Sequence, residues 1–224
     1  PKDPRIMYAS VRQHGIYMSN NGGDSFSPRN NGLTDLKSGK RASYLSISPV
    51  DPNYLYASFY SSSKVYYSHN GGANWYSPTS MDDRNAYGYV SGSMVNSNLP
   101  SYIGYLAAPT AFHPNDKNVA LIAGNSYHIK KTTDGGVTWR FRSSGYTGAA
   151  VAWNSRSISW DPHNPNRFAF FLTDYGPYLT EDGGSTFRTL NVPKYGDKST
   201  PVGALDPASG SKVIVTAAGE WYTQ

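Results

Sequence analysis

Thr132-Thr-Asp-Gly-Gly-Val-Thr-Trp139 is the stretch that decides the fold, because three more copies of it stand elsewhere in the chain. They are Ser19-Asn-Asn-Gly-Gly-Asp-Ser-Phe26, Ser68-His-Asn-Gly-Gly-Ala-Asn-Trp75 and Thr180-Glu-Asp-Gly-Gly-Ser-Thr-Phe187. The second glycines, Gly23, Gly72, Gly136 and Gly184, stand 49, 64 and 48 residues apart. Asn21, Asn70, Asp134 and Asp182 hold the third place in each octet. An Asn or Asp before Gly-Gly suits a turn that needs positive φ and a side chain that caps its own backbone. The Ser or Thr two residues earlier bonds across that turn, and the closing Trp or Phe covers it with apolar area.

A second landmark gives the same period. Prolines follow Asp, Ser or His at Asp3-Pro4, Ser48-Pro49, His113-Pro114, Asp161-Pro162 and Asp206-Pro207, with spacings of 45, 65, 48 and 45 residues. Both landmarks place one insertion of about 16 residues in the same unit. After the prolines come apolar runs that start at Arg5, Tyr54, Asn118, Arg167 and Lys212 and align without gaps. Runs apolar on both faces read as strands buried on both sides. Shorter runs precede four of the prolines, as in Ser157-Ile-Ser-Trp160. Each unit therefore reads as four strands, A to D, with the octet turning C into D. Four-stranded units at this period predict an all-β chain, a β-propeller arc of about four and a half blades. The expected units are 1–36, 37–98, 99–148, 149–195 and an incomplete 196–224. Thr223 aligns with the first residue of a fifth octet, so the natural polypeptide is expected to continue past Gln224 into a ring of seven or more blades.

The octet resembles the Asp-box, or BNR, repeat, Ser/Thr-x-Asp-x-Gly-x-Thr-Trp, over nearly the whole chain. Sortilin-type, photosystem-assembly, xyloglucanase-type and sialidase-like propellers share this style of repeat. Asn21 and Asn70 depart from the usual Asp, yet Asn still accepts the bonds of the turn. The resemblance implies that the octet residues are structural: in Asp-box enzymes the boxes lie away from the site.

Composition bounds the function. The 224 residues include 22 glycines, 15 prolines and 19 tyrosines, and only 16% are charged. With no cysteine, disulfides and thiolate metal sites are excluded. The net charge of +5 is scattered rather than gathered into a stripe, so no nucleic-acid partner is expected. No apolar run in this segment reaches the ~18 residues that span a membrane. The histidines show no metal-ligand spacing and no phosphate-binding glycine pattern is present, so no metal or cofactor is expected.

Strand direction sorts the loops. A–B turns carry the prolines and C–D turns the octets, so both lie on one face; the B–C and D–A loops share the other. The resemblance puts any ligand on the B–C and D–A face. That face is built from Arg12, Gln13 and His14, from 60–64, from Asn125, Tyr127 and His128, from Asp174 and Tyr175, and from 35–41, 81–105, 146–156 and 194–198. Tyr87, Tyr89, Tyr102 and Tyr105 in the insertion, with Tyr146, Trp153 and Tyr175 from neighbouring loops, are the candidate ligand contacts. Tyrosine joins a flat apolar ring to a polar tip, which suits sugar stacking or protein contact. A glycosidase needs two carboxylates ~5 to 9 Å apart. Asp35, Asp82, Asp83 and Asp174 are the candidate carboxylates on this face, and neither the Arg-Ile-Pro motif of sialidases nor the acidic signature of xyloglucan hydrolases is present. The expected function is an extracellular or cell-surface binding and assembly propeller with a glycan or protein partner. A segment of a polysaccharide-cleaving hydrolase and a structural subunit of a filament are the alternatives; oligomeric state stays open.

Overall fold

The computed structural model describes residues 3–40, 42–59, 64–81, 110–123, 129–142, 157–172, 176–190, 201–209 and 213–217. Among them are seventeen strands and one single-turn helix. The first sheet holds β1 (Met7–Val11), β2 (Gly15–Ser19) and β3 (Ser27–Pro28), and the helix α1 (Thr34–Lys37) follows it. The second holds β4 (Ala42–Ile47), β5 (Leu55–Phe59) and β6 (Val65–Ser68). The strand β7 (Ser80–Met81) joins β8 (Thr110–Phe112), β9 (Ala120–Ala123), β10 (Ile129–Thr132) and β11 (Thr138–Phe141) in the third. The fourth is β12 (Ser157–Trp160), β13 (Phe168–Leu172), β14 (Gly176–Thr180) and β15 (Arg188–Thr189). The fifth pairs β16 (Pro201–Leu205) with β17 (Val213–Ala217). The fourth sheet is the four-stranded antiparallel meander that the period predicts.

The ladders correct one alignment. In every octet-bearing sheet the first octet residue pairs with the B strand: Ser19 with Met7, Ser68 with Leu55, Thr132 with Ala120 and Thr180 with Phe168. In the last three sheets the proline landmark lies six residues before that B residue. Pro4 lies only three before Met7. Asp3-Pro4 therefore matches Asp51-Pro52, not Ser48-Pro49, and the gapless alignment of the apolar runs slips by one residue between sheets. Hydrogen bonding agrees, because Asp3, Asp51, Asp116 and Asn164 each accept the backbone N–H two residues on. These are Asx turns, in which a short side chain replaces a backbone acceptor.

The second unit departs from the regular meander. After its octet only a bridge between Tyr67 and Tyr76 continues the second sheet. The chain then crosses to the third sheet, where Ser80 and Met81 pair in parallel with Thr138 and Trp139. The insertion thus leaves from the outer edge of the third sheet. The next described strand, β8, is the opposite edge strand of that same sheet.

Sheets stack face on face, and the core lies in the seams between consecutive ones. Ile16 and Leu33 of the first unit meet Leu55, Ala57, Phe59, Tyr66 and Trp75 of the second. Tyr56 and Val65 meet Phe112, Ala120, Ile122 and Trp139 of the third. Leu121 and Ile129 meet Phe168, Phe170, Tyr178 and Phe187 of the fourth. Ala169, Phe171 and Leu179 meet Leu205 of the fifth. The B strands β5, β9 and β13 thus send alternate side chains into two seams, which is why these runs are apolar at every position. Each large side chain buried this way stabilises the stack by about 1.5–3 kcal/mol.

Candidate ligand-binding face

The octet face is closed by its own hydrogen bonds. The hydroxyls of Ser19, Ser68, Thr132 and Thr180 donate to the Oδ1 of Asn21, Asn70, Asp134 and Asp182 at 2.8–2.9 Å. The same hydroxyls accept from the N–H groups of Gly23, Gly72, Gly136 and Gly184. The seventh octet residue, Ser25, Asn74, Thr138 or Thr186, donates its N–H to that Oδ1. Both glycines of every octet have positive φ. The first glycine of each donates to a carbonyl of the A–B turn, at Arg5, Asn53, Asn118 and Asn166. A–B turns and octets are therefore laced together on one face, as the strand directions require.

Charge separates the two halves of the chain. Thr138 and Thr186 donate through their hydroxyls to the second carboxylate oxygens of Asp134 and Asp182 at 2.6 Å. Such charge-assisted bonds favour the ionised acid. The Thr186 hydroxyl and N–H hold Asp182 down to about 2. In the first octet the neutral amide of Asn21 instead donates to the Ser25 hydroxyl. Asn21 and Asn70 keep the bonds of the turn without a titrating group at the third place.

Side chains also stitch the seams on this face. His69 bonds the Gly135 carbonyl at 2.8 Å and stacks on Tyr54. Lys117 pairs with Asp51 at 2.8 Å across the second seam, and within the fourth unit Arg167 pairs with buried Asp161 at 3.2 Å. His113 takes the place that Ser48 and Asp161 hold in neighbouring units, where Nδ1 accepts the Asn115 N–H. Its ring lies edge-on to Trp160, and Nε2 is buried with no hydrogen-bond partner. Burial pushes His113 below its ordinary value of 6.5; nearby Asp116 opposes this and Lys131 adds to it. Neutral His113 therefore contributes stability that is full above 6.5 and is lost as the pH falls through the lower folded value. Asparagine keeps a cap acceptor without the titration. The melting temperature of His113→Asn is expected to fall less than that of the parent between about pH 7 and 5, as read by circular dichroism.

The opposite face is described in the first unit and at its border with the second. The B–C turn at Arg12–His14 closes with the His14 N–H on the Val11 carbonyl, and Gln13 sits at φ 66°. Asn30 clamps this turn: Oδ1 accepts from the Ile16 N–H at 2.7 Å and Nδ2 donates to the His14 carbonyl at 3.0 Å. Sequence reading missed Asn30, whose signal was an Asn-Asn-Gly run just after the octet. Beside it, α1 brings Thr34 and Asp35 to Tyr66 of the next sheet. The Tyr66 hydroxyl bonds Thr34 Oγ1 at 2.8 Å and accepts the Asp35 N–H at 3.1 Å. Asp35 is buried, and its carboxylate pairs with Lys40 at 3.2 Å. The bond that Asp35 makes to the second unit comes from its backbone N–H. Asp82, Asp83 and Asp174 lie outside the described residues. So do all seven candidate contacts, Tyr87, Tyr89, Tyr102, Tyr105, Tyr146, Trp153 and Tyr175. Among the described residues no group of three His, Asp or Glu is placed to hold a metal ion. No helix among them is long and apolar enough to cross a membrane.

No protein-family model and no curated protein matches the chain. Solved structures do. An ancestral GH74 enzyme superposes with a TM-score of 0.66 at 18% identity, over 98% of this chain and 28% of its own. The GH74 enzyme of Niastella koreensis gives 0.56 at 17%, over 89% and 29%. YCF48 bound to D1 peptide gives 0.54 at 14%, over 92% and 56%. The chain thus spans less than a third of the GH74 enzymes and about half of YCF48. At these identities the likeness is one of fold, and the fold is the β-propeller.

Proposed function

We propose that this chain is the rigid part of an extracellular or cell-surface Asp-box propeller that binds a glycan or protein through its B–C and D–A loops. The observation that carries this reading is the asymmetry of the two faces. Octet and A–B turn groups are consumed by bonds to one another, so that face has little left for a ligand. The one departure from an otherwise regular period, the insertion at 81–105, falls on a D–A connection, which strand order assigns to the other face, and loops lengthened on a rigid scaffold are where function is placed. Tyr87, Tyr89, Tyr102 and Tyr105, with Tyr146, Trp153 and Tyr175, supply contact area at low charge. A peptide bound to YCF48 is precedent for a protein partner on this fold. The likeness to GH74 enzymes supports the second reading, a segment of a polysaccharide-cleaving hydrolase. Asp35, one acid of that reading, is buried with its carboxylate paired to Lys40.

Deletion of 82–101 from the longest natural polypeptide tests both. Loss of glycan-array or partner binding with the fold intact is the expected result. Loss of polysaccharide cleavage instead selects the hydrolase. No change in binding, cleavage or assembly overturns the assignment of the site. A neutral glycan would be held by stacking and tolerate salt, whereas an anionic one would be released as salt rises.

A further inference from the structure

Three Asn-Gly pairs stand in the chain, Asn21-Gly22, Asn31-Gly32 and Asn70-Gly71. This dipeptide has a chemistry of its own. The glycine N attacks the carboxamide carbon of the asparagine before it, because no Cβ on the glycine blocks the approach. A C–N bond forms, ammonia leaves and a cyclic succinimide results. Water then opens that ring at either carbonyl. One opening gives aspartate. The other gives isoaspartate, in which the main chain runs through Cβ and Cγ and the former main-chain carbonyl ends as a carboxylate.

The structure sorts the three pairs. The two in the octets are held closed. The Gly22 N–H donates to the Arg5 carbonyl and the Gly71 N–H to the Asn53 carbonyl, each at 3.0 Å. Asn21 Oδ1 accepts from the Ser19 hydroxyl and the Ser25 N–H, and its Nδ2 donates to the Ser25 hydroxyl. Asn70 Oδ1 accepts from the Ser68 hydroxyl and the Asn74 N–H. Nucleophile and carboxamide must both leave their bonds before either pair reacts. Asn31-Gly32 lies between the first octet and α1, and both residues are exposed. The Gly32 N–H has no acceptor among the described residues. The Asn31 carboxamide makes one bond among them, from Nδ2 to Asn74 Oδ1, so its carbonyl is not held.

We infer that Asn31 is a site of spontaneous modification, converted by the Gly32 nitrogen and water to aspartate and isoaspartate while the two octet asparagines stay intact. Its position gives the reaction a consequence. The Asn31 main-chain carbonyl accepts the Trp75 N–H at 2.8 Å. The backbone at Gly32 runs so close to Trp75 that a Cβ there would stand 2.1 Å from the Trp75 carbonyl oxygen. Isoaspartate lengthens the main chain here by one methylene and turns the accepting carbonyl into a carboxylate off the main chain. The first seam, where Leu33 and Trp75 are packed together, then loses its register at this point. Aspartate at the same place keeps the main chain and disturbs only the side-chain bond to Asn74.

The folded protein and the protein unfolded in urea are incubated side by side in mildly alkaline buffer. Peptide mass mapping follows the replacement of amide NH2 by OH at each of the three asparagines. In urea the three rates are expected to converge, because the dipeptide is the same. In the folded protein Asn31 is expected to react at least about tenfold faster than Asn21 and Asn70, whose bonds open only by local unfolding. Conversion of the folded protein is expected to lower its melting temperature. Asn31→Asp, with an ordinary main chain, is expected to melt close to the fresh parent. Asn31→Gln, whose longer side chain cyclises far more slowly, is expected to keep its melting temperature through the same incubation. An Asn31 that stays intact in the folded protein while the unfolded chain is converted overturns the proposal. So does conversion of Asn21 or Asn70 in the folded protein at the rate of Asn31. A converted protein that melts with the fresh one overturns the effect on the seam.

Discussion

Trp139→Ala is expected to destabilise the protein by about 3–5 kcal/mol, whereas Phe26→Ala, at the same place in the first octet, should cost less than about 1 kcal/mol. Trp139 is 1% exposed and fills the seam between the second and third sheets. Its ring meets Tyr56 edge-on at 5.5 Å, and its indole N–H donates to the Gly136 carbonyl at 3.1 Å. Truncation removes a large apolar surface and leaves a cavity between two sheets that cannot collapse without shifting their ladders. Trp75→Ala belongs with Trp139→Ala, because its indole N–H donates to the Arg29 carbonyl across the first seam at 2.8 Å. Among the described residues no sheet packs against Phe26, which is 44% exposed, so its loss uncovers little. Denaturant unfolding of the three variants checks the order. Equal costs for Trp139→Ala and Phe26→Ala would mean that the aromatic acts within its own turn and not in the seam.

Gly32→Ala is expected to cost about 3 kcal/mol or more, and Gly39→Ala about 1 kcal/mol. Both glycines have positive φ, +94° and +75°, so both substitutions carry the left-handed penalty of an L residue. They differ in surroundings. A Cβ on Gly32 would stand 2.1 Å from the Trp75 carbonyl oxygen, which is backbone and cannot rotate aside. A Cβ on Gly39 would meet nothing within 4 Å. The Asn31 carbonyl also accepts the Trp75 N–H at 2.8 Å, so opening the contact at Gly32 strains the bond that joins the first two units. Melting temperatures of the two variants measure the difference. A Gly32→Ala variant as stable as Gly39→Ala would remove this close approach as a constraint.

Much of the architecture was legible because its signals are local. Ser68, Asn70 and Gly72 form their turn with each other, so the bonds at 2.9 Å follow from an eight-residue pattern wherever it stands. Strand direction follows in turn, and with it the division of loops into two faces. The register error at Pro4 has an equally physical origin. Asp-Pro reads alike in two successive Asx turns, and only the ladder from Met7 to Ser19 tells them apart. The candidate contact residues were chosen by loop length and tyrosine content, and those signals carry no geometry.

By itself, the sequence of this protein determined the repeat, the turn chemistry and the all-β meander, because each depends on residues close together along the chain. Tertiary structure alone decided three things. Asp35, read as a possible acid, is buried with its carboxylate paired to Lys40. Ser80 and Met81 leave their own unit to pair with Thr138 and Trp139. Phe26 is exposed while its counterpart Trp75 is buried. The last two turn on which sheet stands across a seam, a contact between residues tens of positions apart that no octet encodes, because burial belongs to the pair of faces and not to either strand alone.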